Sequence, residues 1–252
     1  SYIGVGTAPA AASIEAFSAA GLQTVPSLDI RAQLIPAAPD VIAALLQDCG
    51  SKSFAELSSP AIALARNGFP MHAIMYRNMD LPWYQRLGMR FLMPSTAAVW
   101  LPHGWWQPPR LHQKVTFPEL ATTLQNLADA ETAALEKGLS RKQAIQAMRD
   151  YFYRGPIAAQ IAKFHKDNGG FIREDDLASY QGGWEQPITG HIGPYTFFGN
   201  GTWSQGIMEP LVLQMLETLP LKALGHNSPQ YIHSVTQAIE LAMSDRDTYV
   251  AD

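Results

Sequence analysis

Residues 152–181 read FYRGPIAAQIAKFHKDNGGFIREDDLASYQ. Pro156 to Asn168 carries a helical pattern, and Gly169-Gly170 stops it as a helix C-cap does. A short strand follows, then a new helix start at Arg173-Glu174-Asp175-Asp176-Leu177. The three carboxylates of that start fall in the first turn, where the helix dipole favours negative charge. Their placement is explained without paired-carboxylate chemistry. The stretch is structural, a helix–stop–strand–helix unit, and it sets the frame for the rest of the chain.

Upstream of it the chain is mostly helical. Residues 1–6 read as a strand end running into a Gly-rich turn, and Pro9 with Ala10 to Ala20 as a helix ended by Gly21. Asp40 to Cys49 reads as a helix with Val41, Ala44, Leu45 and Ala43 on its buried side and Gly50 at its stop. Ser53-Phe54-Ala55-Glu56 has the form of a capping box. Ser59-Pro60 reads as the start of a further helix to Asn67, with Pro at the first helical position, and Gly68 ends it. Another helix is expected from near Pro70 to Asp80. Residues 81–115 hold Trp83, Trp100, Trp105 and Trp106 among Pro82, Pro94, Pro102, Pro108 and Pro109 and show no regular period. They read as an irregular connection or lid packed on the domain or on a partner, or as a stacking surface for a sugar or a base. Phe117-Pro118-Glu119 opens a helix to about Ala130, and Leu139-Ser140 caps one from Arg141 to Tyr151.

Downstream, Pro187 to Phe198 reads as two strands joined by a Gly193-Pro194 turn. Residues 199–206, GNGTWSQG, form a Gly-rich loop before a helix from Ile207 to Leu219. Such a loop holds an anion through backbone N–H groups or simply packs a helix closely on a strand. It is neither a P-loop nor a dinucleotide fingerprint. The last helix runs from about Ser228 to Tyr249, with Ile232, Val235, Ile239 and Met243 expected on one buried face. No internal repeat or low-complexity linker interrupts the 252 residues, which read as a single domain.

Composition excludes several functions. A net charge of −4 with no Lys/Arg cluster argues against a nucleic-acid footprint. No apolar run reaches the roughly 18 residues of a membrane span, so no membrane is expected as partner. Cys49 is the single cysteine, which leaves no internal disulfide and no thiolate metal site, and it reads as a small buried thiol. Seven histidines occur, none at metal-ligand spacing on one helix; His226 and His233 lie seven apart, but His226 falls in a turn. Ser204 lacks the Gly-x-Ser-x-Gly setting of a nucleophile elbow. Asp245-Arg246-Asp247 reads as an ion-paired cluster at a surface or interface. No catalytic residue and no metal ligand is assigned from these residues. Both chain ends read as cut within a domain, with no signal peptide.

The blocks in order resemble the large subunit of γ-glutamyltranspeptidases and related N-terminal-nucleophile (Ntn) hydrolases. Phe152–Gln181 is similar to the family's Phe-Tyr-x-Gly-x-Ile-Ala, Asn-Gly-Gly and Asp-Leu-Ala-x-Tyr elements. Ser59-Pro60-Ala61 with Leu64-Ala65-Arg66-Asn67-Gly68-Phe69, Pro187-Ile188-Thr189-Gly190 with Tyr195, and Ser204-Gln205-Gly206-Ile207 follow its further blocks. So do Ala242, Asp245-Arg246 and Tyr249, and Thr7-Ala8-Pro9-Ala10 at the start. Residues 81–115 and 131–147 are least similar.

The resemblance implies an α+β fold, part of an αββα four-layer sandwich, with this chain mostly helical and its strands near both ends. It implies a missing first strand and helix, and a large subunit that continues beyond Asp252. It implies a small-subunit partner whose N-terminal Thr or Ser, activated by its own α-amino group, is the nucleophile, with a small-molecule amide as substrate and no cofactor. The compartment is left open between cytoplasm and periplasm. One departure bears on substrate. The family's Arg-Glu-x-Ala-Pro grips the α-carboxylate of a γ-glutamyl group, and alignment on Ala8-Pro9 puts Val5, Gly6 and Thr7 at Arg, Glu and x. These three are the expected substrate-binding residues. Valine cannot make the bidentate carboxylate contact of arginine, so an acylase or small-amide hydrolase is expected, with a true γ-glutamyltransferase or a non-catalytic scaffold or ligand-binding relative as alternatives.

Overall fold

The structure, a computed structural model, describes residues 1–107 and 110–250. Pro108 and Pro109 of the Trp/Pro-rich segment, and Ala251 and Asp252 at the end, lie outside the described residues. In chain order, β1 (Tyr2–Ile3) precedes helices α1 (Ile14–Ala19), α2 (Ala38–Asp48) and α3 (Phe54–Asn67). Then come β2 (Phe69–Pro70), α4 (Ala73–Met79), α5 (Trp83–Leu92), α6 (Pro94–Trp100) and β3 (Lys114–Val115). Helices α7 (Pro118–Glu136), α8 (Arg141–Tyr153), α9 (Pro156–Asp167) and α10 (Glu174–Ser179) follow. The chain closes with β4 (Gly183–Trp184), β5 (Ile188–Ile192), β6 (Tyr195–Gly199), α11 (Met208–Glu217), α12 (Leu221–Leu224) and α13 (Pro229–Tyr249). Two compact units are formed: residues 1–7, 36–41 and 181–252 make one, and residues 8–35 and 42–180 make the other.

The larger unit is a helical assembly built on α3, α7 and α8. Ala144, Ile145, Met148 and Tyr153 of α8 and Leu127 and Ala128 of α7 are buried in it, as helical spacing requires of one face. Its caps are local. Ser53 Oγ accepts the Glu56 N–H at 3.1 Å, and Ser140 and Gln143 form a reciprocal capping box. Gly68, at φ 87°, ends α3; a Cβ there would lie 2.8 Å from the Val115 carbonyl. Helix α9 ends as expected at Gly169, φ 74°. Gly170 has a further reason: a Cβ would sit 2.3 Å from Nδ1 of the buried His165.

Several expectations change here. Residues 54–67 form one helix, not two, and Pro60 stands inside it. Its ring is on the exposed side, where a missing hydrogen bond disturbs no packing. Pro70 belongs to β2, paired with Lys114 of β3, and the next helix starts later, capped by His72 Nδ1 on the Met75 N–H. Residues 83–100 of the Trp/Pro-rich segment are helical, as α5 and α6, with prolines at helix entries rather than interiors. Helix α1 starts at Ile14, capped by Ser13, later than Pro9. Helix α7 extends six residues past Ala130, to Glu136. In α2 the buried residues are Asp40, Ala43 and Leu46, while Leu45 is exposed. Cys49 is exposed, not buried.

The smaller unit holds two antiparallel strand pairs and helices α11 to α13. Tyr2 and Ile3 pair with Trp184 and Gly183. Strands β5 and β6 form a hairpin about Gly193, φ 51°, with Ile192 opposite Tyr195. Gly190, opposite Phe197, leaves room for that ring: a Cβ would lie 2.0 Å from its Cζ. Helix α13 is longer than its neighbours and is capped by Ser228 Oγ on the Tyr231 N–H at 3.1 Å. Its buried residues are Ala238 and Ala242, whereas Ile232, Ile239 and Met243 are exposed, so the expected face is turned aside. Helix α11 packs on α13, and alanines allow that close approach.

Candidate substrate-recognition site

Tyr2 and Ile3 are held in β1 by β4, and the Tyr2 and Trp184 rings meet edge to face at 5.2 Å between centroids. A buried carboxylate fixes the same corner. Asp40, 2% exposed, lies in the first turn of α2. Its Oδ2 accepts from the Tyr2 hydroxyl at 2.6 Å and from the Gly182 N–H at 2.9 Å. Buried carboxylates persist where donors replace water, which these two do. Gly4 comes next, and a Cβ there would lie 2.2 Å from Val41 Cγ2. Only glycine lets the strand leave so close to α2.

Val5, Gly6 and Thr7 follow directly. Val5 and Gly6 are half-buried and Thr7 is exposed. Together they present an isopropyl group, a bare backbone and one hydroxyl, with no charge. Their exit from the sheet is thus set by Asp40, Tyr2, Gly4 and Val41. The sequence analysis read Tyr2 and Gly4 as strand end and turn and put Val41 on a buried helix side, but it did not find the Asp40 bonds that join them.

The Gly-rich loop at 199–206 is filled by its own chain. Ser204 Oγ accepts the Gly206 N–H at 3.0 Å. Glu185 Oε1 accepts from Trp203 Nε1 at 2.8 Å, Ser1 Oγ at 2.8 Å and the Gly201 N–H at 3.4 Å. The Ser1 hydroxyl first, then the Trp203 and Gly201 donors, hold the Glu185 carboxyl below its ordinary value despite some desolvation. A carboxylate already occupies the donors that an external anion would use. Gly199 and Gly206 also sit back to back, a Cβ on the first lying 2.9 Å from the carbonyl of the second. The close-packing reading holds over the anion reading.

The remaining polar candidates are structural. Asp176 accepts from the Arg173 and Ala10 N–H groups at 2.8 and 2.9 Å. Arg246 pairs with Asp247 at 2.6 Å. Among the described residues no group of His, Cys, Asp and Glu could hold a metal ion. Glu131 and Arg149 are among the buried ions that escaped the sequence reading. Glu131 of α7, 1% exposed, accepts from the Phe54 and Ala55 N–H groups at 3.0 and 2.9 Å and so caps α3. Arg149 donates to the Tyr180 carbonyl at 2.5 Å and lies over the Tyr153 ring.

The family model for gamma-glutamyltranspeptidase matches residues 1–252. The chain belongs to the γ-glutamyltranspeptidase family. The chain is 27% identical over 218 residues to the glutathione hydrolase-like YwrD proenzyme of Bacillus subtilis, covering 86% of this chain and 37% of that protein. It is 26% identical over 204 residues to the acylase ACY 1 proenzyme of Pseudomonas sp. strain SE83, covering 81% and 32%. It therefore spans about a third of the length of these relatives. The crystal structure of Helicobacter pylori gamma-glutamyltranspeptidase matches it with a TM-score of 0.83 at 26% identity, over 100% of this chain and 67% of that one. The α+β class expected from the sequence, part of the family's αββα Ntn-hydrolase sandwich, is borne out.

Proposed function

We propose that residues 1–252 are the large-subunit portion, within a single domain, of an autoprocessed Ntn amidohydrolase that is not strictly γ-glutamyl-specific. The family membership supports the amidohydrolase chemistry, and the uncharged Val5-Gly6-Thr7 exit supports the departure in specificity. In this reading a Thr or Ser at the new N-terminus of a small subunit attacks the amide carbonyl. Its own α-amino group takes the hydroxyl proton and passes it to the leaving amine. Water or an acceptor amine then releases the acyl group. The large subunit's part is to shape the acyl pocket. Val5 offers van der Waals contact where an arginine would pair with a carboxylate, Gly6 leaves the backbone accessible, and Thr7 supplies one hydroxyl to the substrate. A neutral acyl group loses nothing at such a site, whereas a γ-glutamyl α-carboxylate is desolvated without a cation.

The test starts from the full-length protein. Denaturing mass spectrometry is expected to show two chains, the smaller beginning with Thr or Ser. Hydrolysis of neutral acyl-p-nitroanilides is then compared with that of γ-glutamyl-p-nitroanilide. A higher kcat/KM on a neutral acyl group supports the reading. Ordinary family efficiency on γ-glutamyl-p-nitroanilide overturns the specificity and leaves a glutathione hydrolase, the reading favoured by the name of the Bacillus subtilis relative. An uncleaved, inactive chain overturns the enzyme and leaves a scaffold.

A further inference from the structure

Two consecutive residues of α2 act on the first strand, and they act in opposite senses. Asp40 draws it in: its Oδ2 accepts from the Tyr2 hydroxyl at 2.6 Å and from the Gly182 N–H, beside the paired strand, at 2.9 Å. Val41 holds it off. A Cβ on Gly4 would lie 2.2 Å from Val41 Cγ2, and the next nearest atoms, at 3.6 and 3.9 Å, are Val41 Cβ and Cγ1. Gly4 is not among the glycines with positive φ, so its backbone conformation does not call for glycine. The contact with Val41 does.

The two contacts straddle the end of the strand pair. The β1–β4 ladder consists of Tyr2 opposite Trp184 and Ile3 opposite Gly183. Asp40 grips Tyr2 inside the ladder, and Val41 meets Gly4, the first residue past it. Pairing two strands requires neither. What they fix is the line on which the chain leaves, and Val5 is the next residue on that line. Asp40, Val41, Gly182 and the whole run from Tyr2 to Thr7 belong to the smaller unit, so the arrangement is complete within it. Carbon atoms rest against one another at about 3.5–4.0 Å, so a methyl on Gly4 has to move strand and helix apart by more than about 1 Å. A displacement of that size at a substrate contact costs roughly tenfold or more.

We propose that Asp40 and Val41 are positioning residues for the acyl pocket: the first turn of α2 sets how far Val5 reaches toward the acyl group. This rests on the reading of Val5 to Thr7 as the residues that contact that group. In that reading the nucleophile and its base come from the small subunit. A shift of Val5 therefore weakens the hold on the acyl group equally before and during the reaction, which raises KM and leaves kcat in place. Val41 acts on the acyl preference through Gly4, and Asp40 through Tyr2.

The full-length protein and its variants are to be compared on a neutral acyl-p-nitroanilide and on γ-glutamyl-p-nitroanilide, with active sites titrated and thermal midpoints recorded. Gly4→Ala is expected to raise KM on the preferred acyl group on the order of tenfold, with kcat per active site held. When Val41→Ala is added, the new methyl faces Val41 Cβ at 3.6 Å, an ordinary contact. KM is then expected to return to within about twofold of the unaltered protein. Tyr2→Phe loosens the same strand without a clash and is expected to raise KM about threefold. A fall in thermal midpoint or active-site content with KM unmoved marks a merely structural contact and overturns the proposal. So does a paired variant whose KM stays where Gly4→Ala put it. If Gly4→Ala alone does not fold, Tyr2→Phe and the paired variant decide by the same KM values. The unaltered protein judges the underlying reading separately. Ordinary efficiency on γ-glutamyl-p-nitroanilide overturns the specificity reading, while the KM comparison on that substrate still tests the positioning. An inactive chain overturns both.

Discussion

Asp40 ties residues far apart in the chain through one oxygen, and two donors depend on it. Asp40→Ala takes the acceptor from both, and the expected loss is about 3 kcal/mol of stability, read from the urea midpoint. Tyr2→Phe removes the hydroxyl donor to Asp40 and is expected to lose about 1 kcal/mol. His165 gives a pH-dependent counterpart in the larger unit. Burial first, then the nearby positive charge of Arg173, lowers its pKa from the ordinary 6.5. Its Nδ1 accepts the Ile172 N–H at 3.4 Å, a role the neutral ring fills. With the folded pKa depressed, the unfolded chain binds the proton more readily. The stabilisation is therefore whole above pH 6.5 and fades as pH falls below it. The urea midpoint is expected to drop between pH 7 and pH 5.5, and the drop to shrink in His165→Asn. An unchanged slope in that variant removes His165 as the cause.

At the scale of the element, α3 shows how local signals and distant ones divide the work. Ser53 caps it within its own turn, and Glu131 caps it from α7. Glu131→Ala leaves two N–H groups at the α3 start without that acceptor and is expected to cost about 3 kcal/mol, while Glu131→Gln keeps one amide oxygen and loses less. Pro60 sits inside the same helix on its exposed side. Pro60→Ala restores a backbone hydrogen bond and is expected to raise stability by about 1–2 kcal/mol, the helical gain being reduced by a freer unfolded chain. Thermal unfolding of both variants checks the pair, and a destabilised Pro60→Ala would contradict the account of the helix. The caps at Ser53, Gly68, Ser140, Gly169 and Ser228 were legible in sequence because each depends on residues within a few positions. The single helix over residues 54–67 was not, because proline in a helix is a penalty and not a prohibition, and tertiary packing outweighs it. The buried faces of α2 and α13 were misplaced by about one residue for a related reason. Periodicity gives a stripe, and the neighbour that covers it decides which edge is buried.

For the whole molecule the expected activity turns on one side chain. Val5→Arg returns to the exit of β1 the cation that the family motif carries there. The variant of the full-length protein is expected to gain on the order of tenfold in kcat/KM on γ-glutamyl-p-nitroanilide relative to a neutral acyl analogue. A ratio that does not move would remove Val5 from the acyl pocket. The proposal for Val5 to Thr7 rests on their fixed offset from Ala8-Pro9, and a motif offset is read without any knowledge of packing. What positions them was not legible. Asp40 reaches Gly182 across 142 residues and Glu131 reaches Phe54 across 77, and no window of sequence joins such partners. Arg86 was missed for the same reason, since its arginine looks like any solvated cation until its two carbonyl partners are known. The sequence by itself determined the family, the α+β class and the capped helix ends at Ser53, Gly68, Ser140, Gly169 and Ser228, because collinear motifs and caps are properties of neighbouring residues. The tertiary structure alone decided which charges are buried, which face each helix turns inward and which aromatic surface is left to the solvent, because those depend on the groups that distant parts of the chain bring together.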